Sequence, residues 1–114
     1  MKPWYLYLVR CGDGTLYTGI SNDVDRRLAA HAAGRGARYL RGRGPLTLAR
    51  KVRVGSHGDA LTAERRVKRL GRDRKEKLIQ GKIRLKDLIE EDVRRQTLDV
   101  SKKKKIKNKK AGTE

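Results

Sequence analysis

A chain of 114 residues has room for one compact domain and is too short for two catalytic domains. Apolar residues make up 36% of it and phenylalanine is absent, so the core must be built from aliphatic side chains and a few tyrosines. Lysine and arginine number 31 against 13 acidic residues, and this formal net charge of +18 exceeds what solubility requires. The charge predicts a polyanionic partner. Nucleic acid is favoured over an anionic membrane surface or a disordered basic chain, because phosphate neutralisation with counterion release rewards such a charge.

The single cysteine, Cys11, rules out an internal disulfide and a cysteine-rich zinc site, and it suits a reducing compartment. The apolar stretch Leu6 to Val9 is too short for a signal-peptide core or a membrane span. An aromatic share of 4% makes an extended base-stacking platform for single strands a poor fit. We therefore expect a soluble monomer in the cytoplasm with no membrane segment.

Two strands and a helix are predicted at the start of the chain. Trp4 to Arg10 and Thr15 to Ile20 are rich in aromatic and β-branched residues, and the Cys11-Gly-Asp-Gly14 sequence between them is typical of a hairpin turn. Ser21-Asn-Asp23 offers side chains that can cap a helix, which should run to about Ala33. The second strand thus leads directly into a helix.

The middle of the chain predicts a basic loop, a third strand and two helices. Gly34 to Pro45 is rich in glycine and arginine without an apolar period, and Leu46 to Val54 alternates as a strand does. Asp59 is the expected N-cap of a helix with a buried stripe at Ala60, Ala63, Val67 and Leu70. A short helix from about Arg74 to Ile79 should end at Gly81.

The chain divides into three parts near Gly81. Residues 1–81 form the predicted domain, of α/β (α+β) class, with a small three-stranded antiparallel sheet flanked by helices. Residues 82–100 predict an amphipathic helix, marked by Leu85, Leu88, Ile89 and Val93. Residues 101–114 are lysine-rich and too polar to bury, so we expect a disordered tail. Its charge favours a nonspecific electrostatic anchor over a localisation signal.

Five side chains that could take part in catalysis occur at defined spacings along the chain. Tyr5-Leu-Tyr7 lies in the first strand and Tyr17-Thr-Gly19 in the second, with Tyr7 and Tyr17 ten residues apart. Arg27 follows Tyr17 by ten positions, His31 follows Arg27 by four, and Glu64 lies on a later helix. This combination resembles the GIY-YIG endonucleases over about residues 4 to 80. The closest resemblance is to the short bacterial members that consist mostly of the catalytic domain.

The resemblance implies a role for each residue. Glu64 would hold one divalent metal ion, Mg²⁺ or Mn²⁺, and Arg27 would bind the scissile phosphate with its planar fork of donors. Tyr17 would orient the attacking water or act as general base, and these two roles remain open. Because a phenol is protonated at neutral pH, the second role requires electrostatic help, with His31 or Tyr7 in the proton relay. Gly19 would let the backbone approach the substrate or turn into the helix.

Simpler interpretations exist for the same residues. The tyrosines also suit half-buried strand positions, His31 also suits a helix core, and Glu64 could pair with Lys68 one helical turn later. One position departs from the family pattern. Many members have an asparagine about twelve residues after the acid, where this chain has Glu76. A missing contact there would affect catalytic efficiency more than the fold.

Seven arginines are predicted to contact the nucleic-acid backbone, which positions a substrate without reading its sequence. They lie in the basic loop and on the second helix: Arg35, Arg38, Arg41, Arg43, Arg65, Arg66 and Arg69. The function that these features favour is a structure- or damage-directed DNA endonuclease, with DNA preferred over RNA as substrate. The alternatives are a module of the same fold that binds DNA or RNA without cutting, and a basic protein that coats nucleic acid.

Overall fold

A three-stranded antiparallel sheet forms the centre of the molecule, as the sequence predicted. In the computed structural model, which describes residues 2–91, the strands are β1 (Trp4–Cys11), β2 (Leu16–Ser21) and β3 (Leu46–Gly55). The spatial order is β2-β1-β3, with β1 paired to both neighbours. Because β1 is central, the run Leu6–Val9 is fully buried.

Within residues 2–91, four α-helices flank this sheet and confirm the predicted α+β class. They are α1 (Val24–Ala32), α2 (His57–Lys68), α3 (Arg72–Ile79) and a helix at residues 85–91. The predicted basic loop is irregular except for a 3-10 turn at Arg38–Leu40. None of the described helices is long and apolar enough to cross a membrane.

The structure tests only part of the predictions for the C-terminal end of the chain, because its described residues end at 91. The helix at 85–91 lies inside the segment predicted to be helical, residues 82–100. Residues 82–84 precede this helix and are not helical, so the helix begins three residues later than predicted. Residues 92–100 and the predicted tail at 101–114 lie outside the described residues.

The helix starts differ from the predictions at two places. Ser56, rather than Asp59, is the N-cap of α2: its hydroxyl accepts from the backbone N–H of Asp59, whose carboxylate accepts from the N–H of Ser56. Asp59 is therefore the inner half of a capping box, which satisfies two free backbone donors at once. The helix α3 begins at Arg72, two residues earlier than expected, because Gly71 takes its N-cap position.

Alternate residues of β1 point to opposite faces of the sheet and join two different clusters. Leu6 and Leu8 pack on one face, the core face, against α2, α3 and the helix at 85–91, with Ala63, Val67, Leu70, Leu78, Leu85 and Leu88. Tyr7 and Val9 point to the other face, the site face, where they pack with Val24 of α1 and with half-buried Tyr5, Tyr17, Leu28 and Leu46. The larger apolar core thus lies opposite the face that carries the tyrosines.

Candidate active site

Tyr7 lies at the centre of the site face and is completely buried. Gly19 is its direct partner across β2, and a Cβ atom at Gly19 would lie 2.5 Å from the Tyr7 hydroxyl oxygen. The Tyr7 side chain therefore occupies the space that any larger residue at position 19 would need. The sequence suggested substrate approach or a sharp turn at Gly19, and the structure instead shows room for the Tyr7 ring.

The Tyr7 hydroxyl oxygen lies 2.9 Å from Nε2 of His31, a residue of α1 that is also buried. The other ring nitrogen, Nδ1, accepts a hydrogen bond of 3.0 Å from the backbone N–H of Ala37. Because Nδ1 is an acceptor, a neutral His31 carries its proton on Nε2 and donates it to Tyr7. A loop backbone group thus fixes the histidine tautomer.

Gly36 is what lets the loop approach His31 so closely. A Cβ atom at position 36 would overlap Nδ1 of His31, so a side chain there would displace the loop from the ring. The segment predicted only as a basic loop is therefore also part of the site, because its backbone holds His31.

Tyr17 completes an aromatic cluster with Tyr7 and His31. Its ring centroid lies 6.4 Å from that of Tyr7 and 5.6 Å from that of His31, the second contact being edge-to-face. Tyr17 is half-buried, whereas Tyr7 and His31 are buried. Of the two tyrosines, Tyr17 is therefore the one that a substrate can reach.

Burial and neighbouring charges fix the protonation states in this cluster. Burial, with Tyr17 and Glu64 as smaller causes, raises the pKa of Tyr7 to about 12, although a hydrogen bond and the charge of Arg27 act in the opposite direction. Burial and then the charge of Arg27 lower the pKa of His31. At neutral pH, Tyr7 is therefore a protonated phenol beside a neutral imidazole. Arg27 and, more weakly, the charge of Glu64 thus act on the Tyr7 hydroxyl.

Glu64 lies on α2 with 23% of its side chain exposed, and one carboxylate oxygen is 3.3 Å from the ammonium group of Lys68. The simpler interpretation of Glu64 as the partner of Lys68 thus describes a contact that does exist. Lys68 is more than half exposed, and such surface pairs are weak, so the pair leaves Glu64 available to a stronger cation. Within residues 2–91, no group of three or more His, Cys, Asp or Glu side chains could hold a metal ion.

Five of the seven arginines predicted to contact nucleic acid are exposed: Arg35, Arg38, Arg41, Arg65 and Arg69. The other two are engaged within the protein. Arg43 forms an ion pair of 3.0 Å with Asp13 in the β1–β2 hairpin. Arg66 is buried, donates to the backbone carbonyl of Leu88 and pairs with Glu91 at 3.5 Å. Its placement argues against a nucleic-acid contact, because it fastens the helix at 85–91 to α2.

Tyr39 belongs to the site although the sequence interpretation did not include it. Its ring centroid lies 5.8 Å from that of Tyr17, and 45% of the residue is exposed. The available signal was an aromatic residue among the arginines of the loop. This signal alone does not place Tyr39 beside Tyr17, because the distance between them depends on how the loop folds back on β2.

Glu76, which stands at the spacing of the family asparagine, is held in an ion-pair network. Its two carboxylate oxygens accept from Arg10 at 2.9 and 2.8 Å, and Arg72 adds a bond of 3.0 Å. These hydrogen bonds, that from Arg10 first, lower the pKa of Glu76 to about 2. Glu76 therefore serves to link α3 to β1.

The fold and this set of side chains define a small catalytic domain of the GIY-YIG type. A profile of the GIY-YIG catalytic domain matches residues 3–77, so the chain belongs to that family and the resemblance seen in its sequence is confirmed.

Two relatives are small proteins of similar length. The UPF0213 protein of Cronobacter sakazakii (strain ATCC BAA-894) is 51% identical over 83 residues, which cover 73% of this chain and 87% of the relative. The UPF0213 protein YhbQ of Escherichia coli O8 (strain IAI1) is 54% identical over 79 residues, 69% of this chain and 79% of the relative.

A solved structure supports the fold. The solution NMR structure of the protein EF2693 from E. faecalis matches with a TM-score of 0.53 and 32% identity, covering 71% of this chain and 86% of that one. The sheet flanked by helices is thus shared with a relative of measured structure.

Proposed function

We propose that this protein is a metal-dependent endonuclease that hydrolyses phosphodiester bonds in DNA at structural irregularities or damage. The observation that carries the proposal is the cluster of Tyr7, Tyr17 and His31, in which the Tyr7 hydroxyl also interacts with Arg27 and, more weakly, with the charge of Glu64. Phosphodiester hydrolysis needs an oriented water, groups that neutralise the negative charge developing on the phosphoryl oxygens, and stabilisation of the leaving oxygen. A phenol, a guanidinium and a carboxylate with a cation supply these functions.

The donor set fits a single hard cation. Mg²⁺ keeps several waters and is commonly bound by one or two carboxylates plus substrate phosphate, so Glu64 alone is an adequate protein ligand. When bound, Mg²⁺ or Mn²⁺ would neutralise charge on the phosphate and lower the pKa of a coordinated water.

Arg27 is assigned to the scissile phosphate. Arg27 is exposed, and its side chain interacts with the Tyr7 hydroxyl. A guanidinium offers paired donors that match phosphate oxygens, and its charge is permanent. Together with burial, which is the larger cause, the charge of Arg27 lowers the pKa of His31, because a second cation beside it is disfavoured.

The two tyrosines take different roles in this proposal. Tyr7 is buried and its pKa is about 12, so it neither reaches the substrate nor accepts a proton at neutral pH. We assign it as a positioning residue that ties His31 to Arg27. Tyr17 is half-buried beside this pair, and we assign it as the group that orients the attacking water. The exposed loop and α2 arginines would hold the backbone of a substrate, and the protein would act as a cytoplasmic monomer.

The test is cleavage of labelled duplex, single-stranded, flap and branched DNA, together with a structured RNA, by the full chain. Reactions with Mg²⁺, with Mn²⁺ and with EDTA are compared for the unmodified protein, Glu64→Ala and Arg27→Ala. Arg26→Ala is the matched control, because Arg26 is the exposed neighbour of Arg27 on α1. We expect metal-dependent cutting of DNA that Arg27→Ala slows about 100- to 1000-fold and Arg26→Ala leaves largely intact.

Binding without cutting would contradict the proposal. Affinity that neither Glu64→Ala nor Arg27→Ala changes, in the absence of any cleavage, would identify a nucleic-acid-binding module of the same fold. Faster cleavage of the structured RNA than of every DNA would show that RNA, and not DNA, is the substrate.

A further inference from the structure

Two planar side chains form a stack beside Tyr17. The guanidinium carbon of Arg43 lies 4.0 Å from the centroid of the Tyr39 ring, and that ring is tilted by 30° relative to the ring of Tyr17. Among the described residues, the large apolar side chains that are well exposed are Tyr39, Leu48 and Leu61. Tyr39 alone of these three is aromatic, and it is the one that adjoins the site.

Bonds on several sides hold this stack in place. Arg43 donates from NH1 to the carboxylate of Asp13 at 3.0 Å and from Nε to the backbone carbonyl of Tyr39 at 2.6 Å. The next residue along the chain, Leu40, is buried and anchors the 3-10 turn that carries Tyr39. A ligand that lies on this stack therefore meets groups that are already ordered, so binding does not have to order them.

We propose that the stack of Tyr39 and Arg43 binds one unpaired nucleobase next to the phosphodiester that is cut. Aromatic rings and guanidinium planes are the surfaces on which proteins stack single bases. A base inside a duplex is stacked on its neighbours and cannot lie on a side chain. This inference rests on the proposed nuclease function, and it names the substrate class as DNA with an unpaired nucleotide at the cleavage site.

The charge around the stack suits such a ligand. Arg35, Arg38 and Arg41 belong to the same loop, are exposed, and make no ion pair within residues 2–91. They can hold the phosphates on either side of a flipped-out nucleotide. The aromatic content of the chain argues against a long single-strand platform, but one ring is enough for one base.

The experiment measures binding in the Glu64→Gln background, where the carboxylate charge is removed and the DNA stays intact. The ligands are three duplexes that differ at one place: a single-nucleotide bulge with its base, the same bulge without the base, and no bulge. Tyr39→Leu removes the ring but keeps an apolar side chain, and Tyr39→Phe keeps the ring. Affinity is read by fluorescence anisotropy, and a fluorescent 2-aminopurine in the bulge reports stacking directly.

With Tyr39 present, we expect the bulge with its base to bind about tenfold more tightly than the bulge without it. Tyr39→Leu should lose this preference and the 2-aminopurine quenching, and Tyr39→Phe should keep both. Equal affinity for the two bulges with Tyr39 present would overturn the inference. An equal loss of affinity for both bulges in Tyr39→Leu would also overturn the inference, because Tyr39 would then only support Tyr17. These results do not depend on cutting, so failure of the nuclease assay is a separate outcome.

Discussion

The two faces of β1 differ in how they are stabilised. On the core face, Leu6 and Leu8 meet aliphatic side chains from three helices, and burial of apolar surface is the main favourable contribution. On the site face, the buried side chains include the hydroxyl of Tyr7 and the imidazole of His31. Neighbouring residues of β1 therefore contribute differently: Leu6 and Leu8 to stability, and Tyr7 to the proposed active site.

The site face can bury polar groups because they bond to one another. An unpartnered buried polar group costs about 1–3 kcal/mol, so each group on this face needs a partner. Ala37 donates to His31, and His31 and Arg27 both bond to the Tyr7 hydroxyl. The site face therefore owes its order to directional contacts, some of them from a loop. It should therefore respond to small changes of geometry, whereas the core face should respond to lost volume.

The largest effect on stability should come from the core face. Leu8→Ala removes a fully buried side chain, and we expect the free energy of unfolding to fall by about 2–5 kcal/mol. Leu48→Ala on β3 is the matched control, because Leu48 is 36% exposed and its truncation leaves a smaller void. Urea denaturation followed by circular dichroism gives both values. Equal losses for the two variants would show that the core face does not dominate stability.

A smaller effect, directed at the site, is expected for Gly36→Ala. The added Cβ atom would overlap Nδ1 of His31, so the loop must move and the bond from Ala37 must lengthen or break. Strain of this kind costs about 1–3 kcal/mol, and we expect the rate of DNA cleavage to fall about tenfold or more while the sheet stays folded. Cleavage kinetics and the chemical shifts of His31 report the two consequences.

Gly71→Ala is the control for this change. Gly71 has a negative φ of −69°, and a Cβ atom there meets no heavy atom within 4 Å. If the two alanine variants cut DNA at the same rate as the unmodified protein, the loop does not hold His31 for catalysis.

The sequence predicted the elements on both faces because their signals are local. The hairpin turn, the alternation in the strands and the stripe at Ala60, Ala63 and Val67 each involve neighbours in sequence, and the structure confirms them. The motif from Tyr7 to Glu64 identified the family because its residues lie on successive elements, β1, β2, α1 and α2, whose order in the chain sets the spacing. Ser56 is also a local N-cap signal, but Asp59 satisfies the same residue preference, so the sequence does not distinguish the two positions.

The features that the sequence did not predict depend on contacts between distant segments. The burial of Arg66 follows from the helix at 85–91, which supplies the carbonyl of Leu88 as its acceptor. The place of Tyr39 beside Tyr17 follows from the loop folding back on the hairpin through Arg43 and Asp13. An arginine or tyrosine side chain suits a surface and a buried network equally well, so composition cannot distinguish the two.

The smallest effect is expected at Glu76, where α3 meets β1. Its pKa is lowered from 4.5 to about 2, so its ion pairs stabilise the fold above pH 4.5, and this contribution is lost as the pH falls through 2. Glu76→Gln should therefore lower the free energy of unfolding at neutral pH. It should also reduce the fall in this free energy between pH 4.5 and 2, as measured by urea denaturation from neutral pH down to pH 2. Cleavage should be unchanged, because Glu76 is bound to Arg10 and Arg72 and not to the tyrosine cluster.

Asp73→Asn is the matched control, because Asp73 is exposed on the same helix and makes no ion pair within residues 2–91. It should keep the full pH dependence of the unmodified protein. A loss of cleavage in Glu76→Gln without a loss of stability would mean that this carboxylate acts in catalysis. In that case the site would draw on α3 as well as on Glu64 of α2, two helices that both pack on the core face of β1.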